Sequence, residues 1–310
     1  MRVTSSIVFA AGTVLAVIAC SSSNDATSAQ TQPEGGTSSS GDPANDDGGG
    51  SSSGSTSGDV DATQPPNPWV KTTTETMQHE GSQRTYILSV PLNYDKNKSY
   101  PLYIWLHGSP GSAQSAAGYE VHNATHDEAI IAYPGAITTE GWDHSAALQD
   151  NVDTTFIFAM IDALKAKYSM DENRILLSGW SGGGFMSSLM ACRFSGSFKA
   201  IGIHSGGAPF DVNGGPNPTC DGASIAAFVT HGGMDGAVGG DSGYYAAKYW
   251  EEHNGCTSNR VAVASIGPGC EAYQGCPADK PVIYCFDENM GHALYPNAIK
   301  MEWAWFKTLP

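Results

Sequence analysis

Basic residues are scarce in this 310-residue chain: 15 Lys and Arg stand against 31 Asp and Glu, for a formal net charge of −16. From Trp69 onward the count is 24 acidic against 14 basic, so the imbalance is not confined to one end. A surface of that sign repels phosphate backbones and anionic headgroups, which argues against nucleic acid and anionic membrane surfaces as partners. Long apolar runs are missing too, since residues 7–19 are too short to span a bilayer as a mature helix. No two cysteines have C-x2-C spacing, and His122 and His126, four apart, have no third ligand beside them. No metal is expected.

The ends and the middle differ sharply in composition. Residues 1–19 carry one basic residue, Arg2, before the apolar stretch and read as a signal peptide. Its end, Val17-Ile18-Ala19-Cys20, resembles a bacterial lipobox, with Cys20 lipidated; cleavage that leaves Cys20 unmodified is the alternative. Residues 20–68 are Ser, Gly, Thr, Asp and Pro with almost no large apolar side chain, so burial cannot offset chain entropy. They read as a disordered tether reaching about 40 Å. Residues 69–310 suit one α/β domain, and the expected place is the outer surface or periplasm of a bacterial envelope, held by the lipid alone. Cys192, Cys220, Cys256, Cys270, Cys276 and Cys285 form an even set, so up to three disulfides are expected in an exported chain. Four of them crowd between 256 and 285 and would pin the loops before the last strand, with all 15 pairings of the six open.

Apolar runs at 101–106, 128–134, 174–178, 200–204, 225–230 and 282–286 read as strands, with 84–91 as an edge strand. Helical patterns at 151–168, 185–192, 243–253 and 297–309 lie between and after them, with Asp153 favourable in a first turn. Alternation of this kind argues for a mostly parallel sheet covered by helices on both faces.

Gly179-Trp180-Ser181-Gly182-Gly183 joins a strand to a helix, the context in which G-x-S-x-G holds a serine nucleophile on a strained turn. Glycines two residues either side remove the Cβ atoms that would clash there. A serine hydroxyl needs an imidazole to take its proton and a carboxylate to orient that imidazole, and on this topology the order is Ser, acid, His. Only His253 and His292 of nine histidines follow Asp235. His292, in a Gly-flanked loop after a strand, is the expected base; His253 ends a helix. Asp235, just past a strand, is the expected acid, with Asp211 and Asp241 as rivals. The turn His107-Gly108-Ser109-Pro110-Gly111 would give one oxyanion donor, and because Pro110 has no N–H that donor is Ser109; Gly182 gives the other. Activity should fall in acid as His292 protonates.

These residues resemble the secreted esterase family that includes feruloyl esterases, acetylxylan esterases and polyhydroxybutyrate depolymerases. The likeness runs through Leu106-His107-Gly108, Ala132-Tyr133-Pro134, the serine turn, His231-Gly232 with Asp235, and Gly291-His292. Residues 270–276 and 281–285 are similar to the feruloyl esterase branch. The resemblance implies an α/β-hydrolase fold, no cofactor, and nucleophile, acid and base at Ser181, Asp235 and His292. Trp180 and Gly182 beside the serine, and Ala293-Leu294-Tyr295 after the histidine, depart from the family pattern near the pocket. Trp142, Trp180 and Tyr295 would offer flat faces to a phenolic acyl group or a sugar. The expected activity is hydrolysis of feruloyl or related plant polysaccharide esters, with polyhydroxybutyrate-type polyesters and acetylated xylan as alternative substrates. A rival of another class is a non-catalytic surface lipoprotein that binds carbohydrate.

Overall fold

A computed structural model describes residues 67–144, 151–209, 220 and 222–310. The expected signal peptide, nearly all of the expected tether with Cys20, and Asp211 lie outside the described residues. Among the described residues ten strands form one sheet: β1 (Val70–His79), β2 (Ser82–Pro91), β3 (Tyr100–Leu106), β4 (Ile130–Pro134), β5 (Met170–Trp180), β6 (Ala200–His204), β7 (Ala226–Gly232), β8 (Arg260–Ala262), β9 (Cys270–Tyr273) and β10 (Val282–Asp287). The helices are α1 (Ala113–Ala117), α2 (His122–Thr125), α3 (Val152–Lys167), α4 (Gly182–Phe194), α5 (Ser242–His253) and α6 (Ala298–Phe306).

The sheet order is β1-β2-β4-β3-β5-β6-β7-β10-β9-β8. Strands β4, β3, β5, β6, β7 and β10 are parallel to one another, while β1 and β2 on one flank and β9 and β8 on the other are antiparallel additions. Side chains alternate across this sheet into two cores. On β3, Leu102, Ile104 and Leu106 pack with α3, α4 and α5, whereas Tyr103 and Trp105 pack with α1 and α6. All five are wholly buried, which is why the run reads as continuously apolar.

One expectation is corrected at the edge. Residues 84–91 are not an edge strand, because β2 is paired along its length with β1 on one side and with β4 on the other. The true edge, β1, is Thr-rich and leaves alternate residues exposed, so it has no apolar run to announce it. Asp153 also does more than complement a helix end. It is fully buried, pairs with Arg84 at 2.5 Å, and accepts the Ile137 and Asp143 N–H groups at 2.8 Å each. Asn151 caps α3 by accepting from Asp153 and Thr154 N–H.

Three disulfides are present: Cys192–Cys220, Cys256–Cys276 and Cys270–Cys285. The last two brace the segment that leads into β10.

Beneath the strand ends lies a polar cluster that no periodicity reveals. Glu302 of α6 is fully buried, and its Oε2 accepts from Tyr103 OH and from Ser178 Oγ at 3.0 Å, 3.3 Å from His204 Nε2. His204 Nδ1 lies 2.9 Å from Thr230 Oγ1. One side chain thereby joins β3, β5, β6 and α6, and reaches β7 through His204. Replacing Glu302 by Ala would strand these partners without water, at a cost of about 3 kcal/mol. For a domain of this size that lowers Tm by about 6–12 °C. Thermal melts of Glu302→Ala and Glu302→Gln, with the Gln variant losing less, check it.

Three further histidines are buried at the same end of the sheet. Ala136 N–H donates to His107 Nε2 at 3.1 Å, so His107 Nδ1–H donates to Gly108 O at 2.7 Å and the ring is neutral. His144 donates to Gly182 O and His231 to Gly239 O. Burial pushes all three imidazoles down from the ordinary 6.5. Below that value the unfolded chain takes up protons that the folded chain refuses, so stability is whole above about pH 6.5 and is lost as pH falls towards the lowered values. Tm should drop from pH 8 to pH 5, and a melting series across that range, flattened in His107→Gln, would display it.

Candidate active site

The turn between β5 and α4 carries the strain that the glycine spacing implies. Ser181 sits at φ 54°, ψ −119°, a conformation side chains rarely adopt. A Cβ on Gly179 would stand 2.6 Å from Gly183 C and O, and one on Gly183 would stand 2.6 Å from His107 O. Only hydrogens fit at both places. Ser181 N–H donates to His204 O at 2.7 Å, and Ser181 O accepts from Phe185 N–H at 3.1 Å, so the backbone is held from both sides.

Ser181 Oγ makes no cap bond to α4 and instead lies 2.9 Å from His292 Nε2. His292 Nδ1 lies 2.8 Å from Asp235 Oδ2. The loop after β7 turns back on itself so that Ala237 and Val238 N–H donate to Asp235 Oδ1 at 3.0 and 2.9 Å. Burial pushes the Asp235 carboxyl up, but the hydrogen bonds from His292, Val238 and Ala237 outweigh it and hold the group below the ordinary carboxylate range. An ionised acid, an imidazole and a hydroxyl in unbroken contact can transfer a proton off the serine and stabilise the charge that results.

Ser109 and Gly182 lie side by side: a Cβ on Gly182 would be 3.3 Å from Ser109 N. Neither N–H donates to an acceptor among the described residues. Beyond them opens a cavity of about 400 Å³, lined by Ser109, Trp142, His144, Gly182 and Phe185 among others.

The aromatic residues expected at the pocket divide three ways. Trp142 is nearly buried, stacked on His107 at 4.5 Å with its Nε1–H donating to His107 O, and one edge lines the cavity. Trp180 packs against the other face of the site, its ring 4.8 Å from His292. Tyr295 is corrected: it is 5% exposed, and its OH donates to Pro268 O, so it has no open face to offer a substrate. Of the rivals, His253 stacks on Tyr249 at 4.0 Å and Asp241 sits exposed at the start of α5; neither contacts the serine. His126 stacks on Trp69. Among the described residues no group of three His, Cys, Asp or Glu is arranged to hold a metal. Sequence reasoning missed Phe185 and His144; the loop that carries Trp142 held the second in plain view, but a lone histidine there gives no signal.

Residues 88–213 match the model of the family described as esterase PHB depolymerase. The chain is 30% identical to a protein named "Probable feruloyl esterase C" of Aspergillus terreus, over 65% of this chain and 73% of that one. It is 26% identical to feruloyl esterase C of Emericella nidulans, over 60% of this chain and 67% of that one. Among solved structures, the acetyl xylan esterase from Aspergillus awamori is similar in fold, with a TM-score of 0.60 at 19% identity, covering 76% of this chain and 99% of that one. The strand-turn-helix around Ser181, the parallel sheet behind it and these matches agree: the chain belongs to the feruloyl esterase, acetylxylan esterase and polyhydroxybutyrate depolymerase family of α/β-hydrolases, and is a carboxylic ester hydrolase.

Proposed function

We propose that this esterase is exported and releases phenolic acyl groups, feruloyl above all, from plant polysaccharides through a Ser-His-Asp triad. Ser181 Oγ attacks the ester carbonyl carbon while His292 Nε2 takes its proton, and Asp235 orients the ring and balances the imidazolium. The carbonyl oxygen, now anionic, is held by the N–H groups of Ser109 and Gly182. His292 returns the proton to the sugar oxygen as the C–O bond breaks, leaving an acyl-Ser181. Water then attacks with His292 again as base, releasing the acid and restoring the serine.

The observation that carries this reading is the continuous chain from Asp235 through His292 to Ser181, next to the Ser109 and Gly182 N–H groups, which have no acceptor among the described residues, at a cavity of about 400 Å³. A pocket of that volume walled by Trp142 and Phe185 suits a planar aromatic acyl group, and an acetyl group would leave most of it empty. The relatives named as feruloyl esterases support the same choice. Three disulfides support an oxidising compartment, in keeping with a leader at 1–19, lipid on Cys20 and a tether at 20–68 carrying the catalytic domain at 69–310.

Ser181→Ala should lower kcat on methyl ferulate by about 10³- to 10⁶-fold with an unchanged melt; turnover near wild type would remove Ser181 from the mechanism. Phe185→Ala should raise KM for methyl ferulate by about 3- to 10-fold and affect p-nitrophenyl acetate less. Equal effects on both esters would take Phe185 out of acyl recognition.

A further inference from the structure

A second cavity, about 570 Å³, lies on the β10-β9-β8 flank. Its floor follows from the strand register. Tyr284 pairs with Glu271, and Glu271 pairs with Ala262, so these three stand in one row on one face of the sheet; Phe286 and Arg260, each two residues along its strand, share that face. Tyr244 of α5 and Asp241, the residue before that helix, form the opposite wall. Phe286 and Tyr244 are 38% and 40% exposed, large apolar rings left in water. Arg260 lies between the aromatic rings, 5.9 Å from Tyr244 and 5.8 Å from Tyr284, and its Nη1 is held by Glu271 at 2.9 Å.

We infer that this cavity is a binding subsite for a neutral polysaccharide chain, the carrier of the ester rather than its acyl group. The proposal rests on the polysaccharide-ester reading above and extends it to a site of its own. Aromatic rings present flat apolar faces that match the C–H face of a sugar ring. Asp241, Glu271 and Arg260 around them supply fixed acceptors and donors for vicinal hydroxyls, in the mixture of apolar wall and few polar groups that binding pockets show. The charge of the domain selects against an acidic polymer: carboxylates at two places in the cavity meet one guanidinium already paired.

The cavity is also joined to the triad through its walls. The loop that bends to hold Asp235 continues into Gly240 and Asp241, with Asp235 O accepting from Gly239 N–H at 3.1 Å. On the other side, Tyr295, three residues after His292, donates to Pro268 O and so fixes the loop that closes the cavity. A chain seated here would run alongside the acid and base of the site.

The test uses the full chain. Retention of Ser181→Ala protein in gels containing de-esterified arabinoxylan measures the subsite without turnover, and the Tyr244→Ala/Phe286→Ala pair in the same background should lose about 5- to 10-fold in affinity. In the active protein the pair should lower kcat/KM on feruloylated arabinoxylan by a similar factor relative to methyl ferulate. Tyr244→Ala alone, on the water-facing side of α5, serves if the pair melts early, and gels containing polygalacturonate should retain the protein less than gels containing arabinoxylan. No retention of the parent protein, or equal retention of parent and variants, overturns the subsite. Retention that the variants lose, in a protein that does not cleave feruloyl esters, leaves the subsite standing and removes the feruloyl reading.

Discussion

The hydrogen bond from Ser181 N–H to His204 O is the constraint on which the rest of the site depends. It ties the strained residue at the end of β5 to the end of β6 and, with the Phe185 N–H bond to Ser181 O, holds φ at 54°. The cost of that conformation, of order 1–3 kcal/mol, falls on the packing around it. Gly179 and Gly183 let α4 settle against the end of β3, and the His204 ring is fastened from below by Ser178, Thr230 and Glu302. A serine that stands clear of its own helix is thus supported by five elements.

The loops that meet Ser181 are disciplined by different means. Asp235 is fixed by backbone N–H groups of its own turn, which keeps the carboxylate both ionised and aimed. The segment bearing Trp142 is fixed from a distance: Asp153 gathers the N–H groups of Ile137 and Asp143 while paired with Arg84 on β2. Removing one member of such a buried pair costs more than the pair itself contributes, because the other is left charged and dry. The wall of the cavity beside Ser109 and Gly182 therefore depends on β2, near one flank of the sheet.

Most of the parallel sheet was legible because its strands are apolar on both faces, and the serine turn was legible because glycine spacing states a steric requirement. The order of Ser181, Asp235 and His292 was argued from topology, and in the structure the three side chains are in contact. What escaped has physical reasons. Strand β1 pairs by its backbone while its Thr-rich side chains are exposed or half-buried, and β8, at three residues, is too short to carry a period. Nothing local to Glu302, on an aromatic helix, says that three polar partners wait across the sheet. Tyr295 was misjudged for the same reason: an aromatic just after the His292 loop can face a ligand or a carbonyl, and only the fold decides which. Disulfide pairing likewise needed three dimensions.

Among the described residues helix α6 follows every strand of the sheet in the chain, yet its Glu302 underpins the Ser181 turn made more than a hundred residues earlier. His292 comes late as well. A growing chain that has formed β3, β5 and β6 thus holds the serine without the imidazole that meets it and without its buried support. The Ser181 turn therefore takes its final surroundings only once the chain through Glu302 has folded, and the contacts at its two sides are completed together.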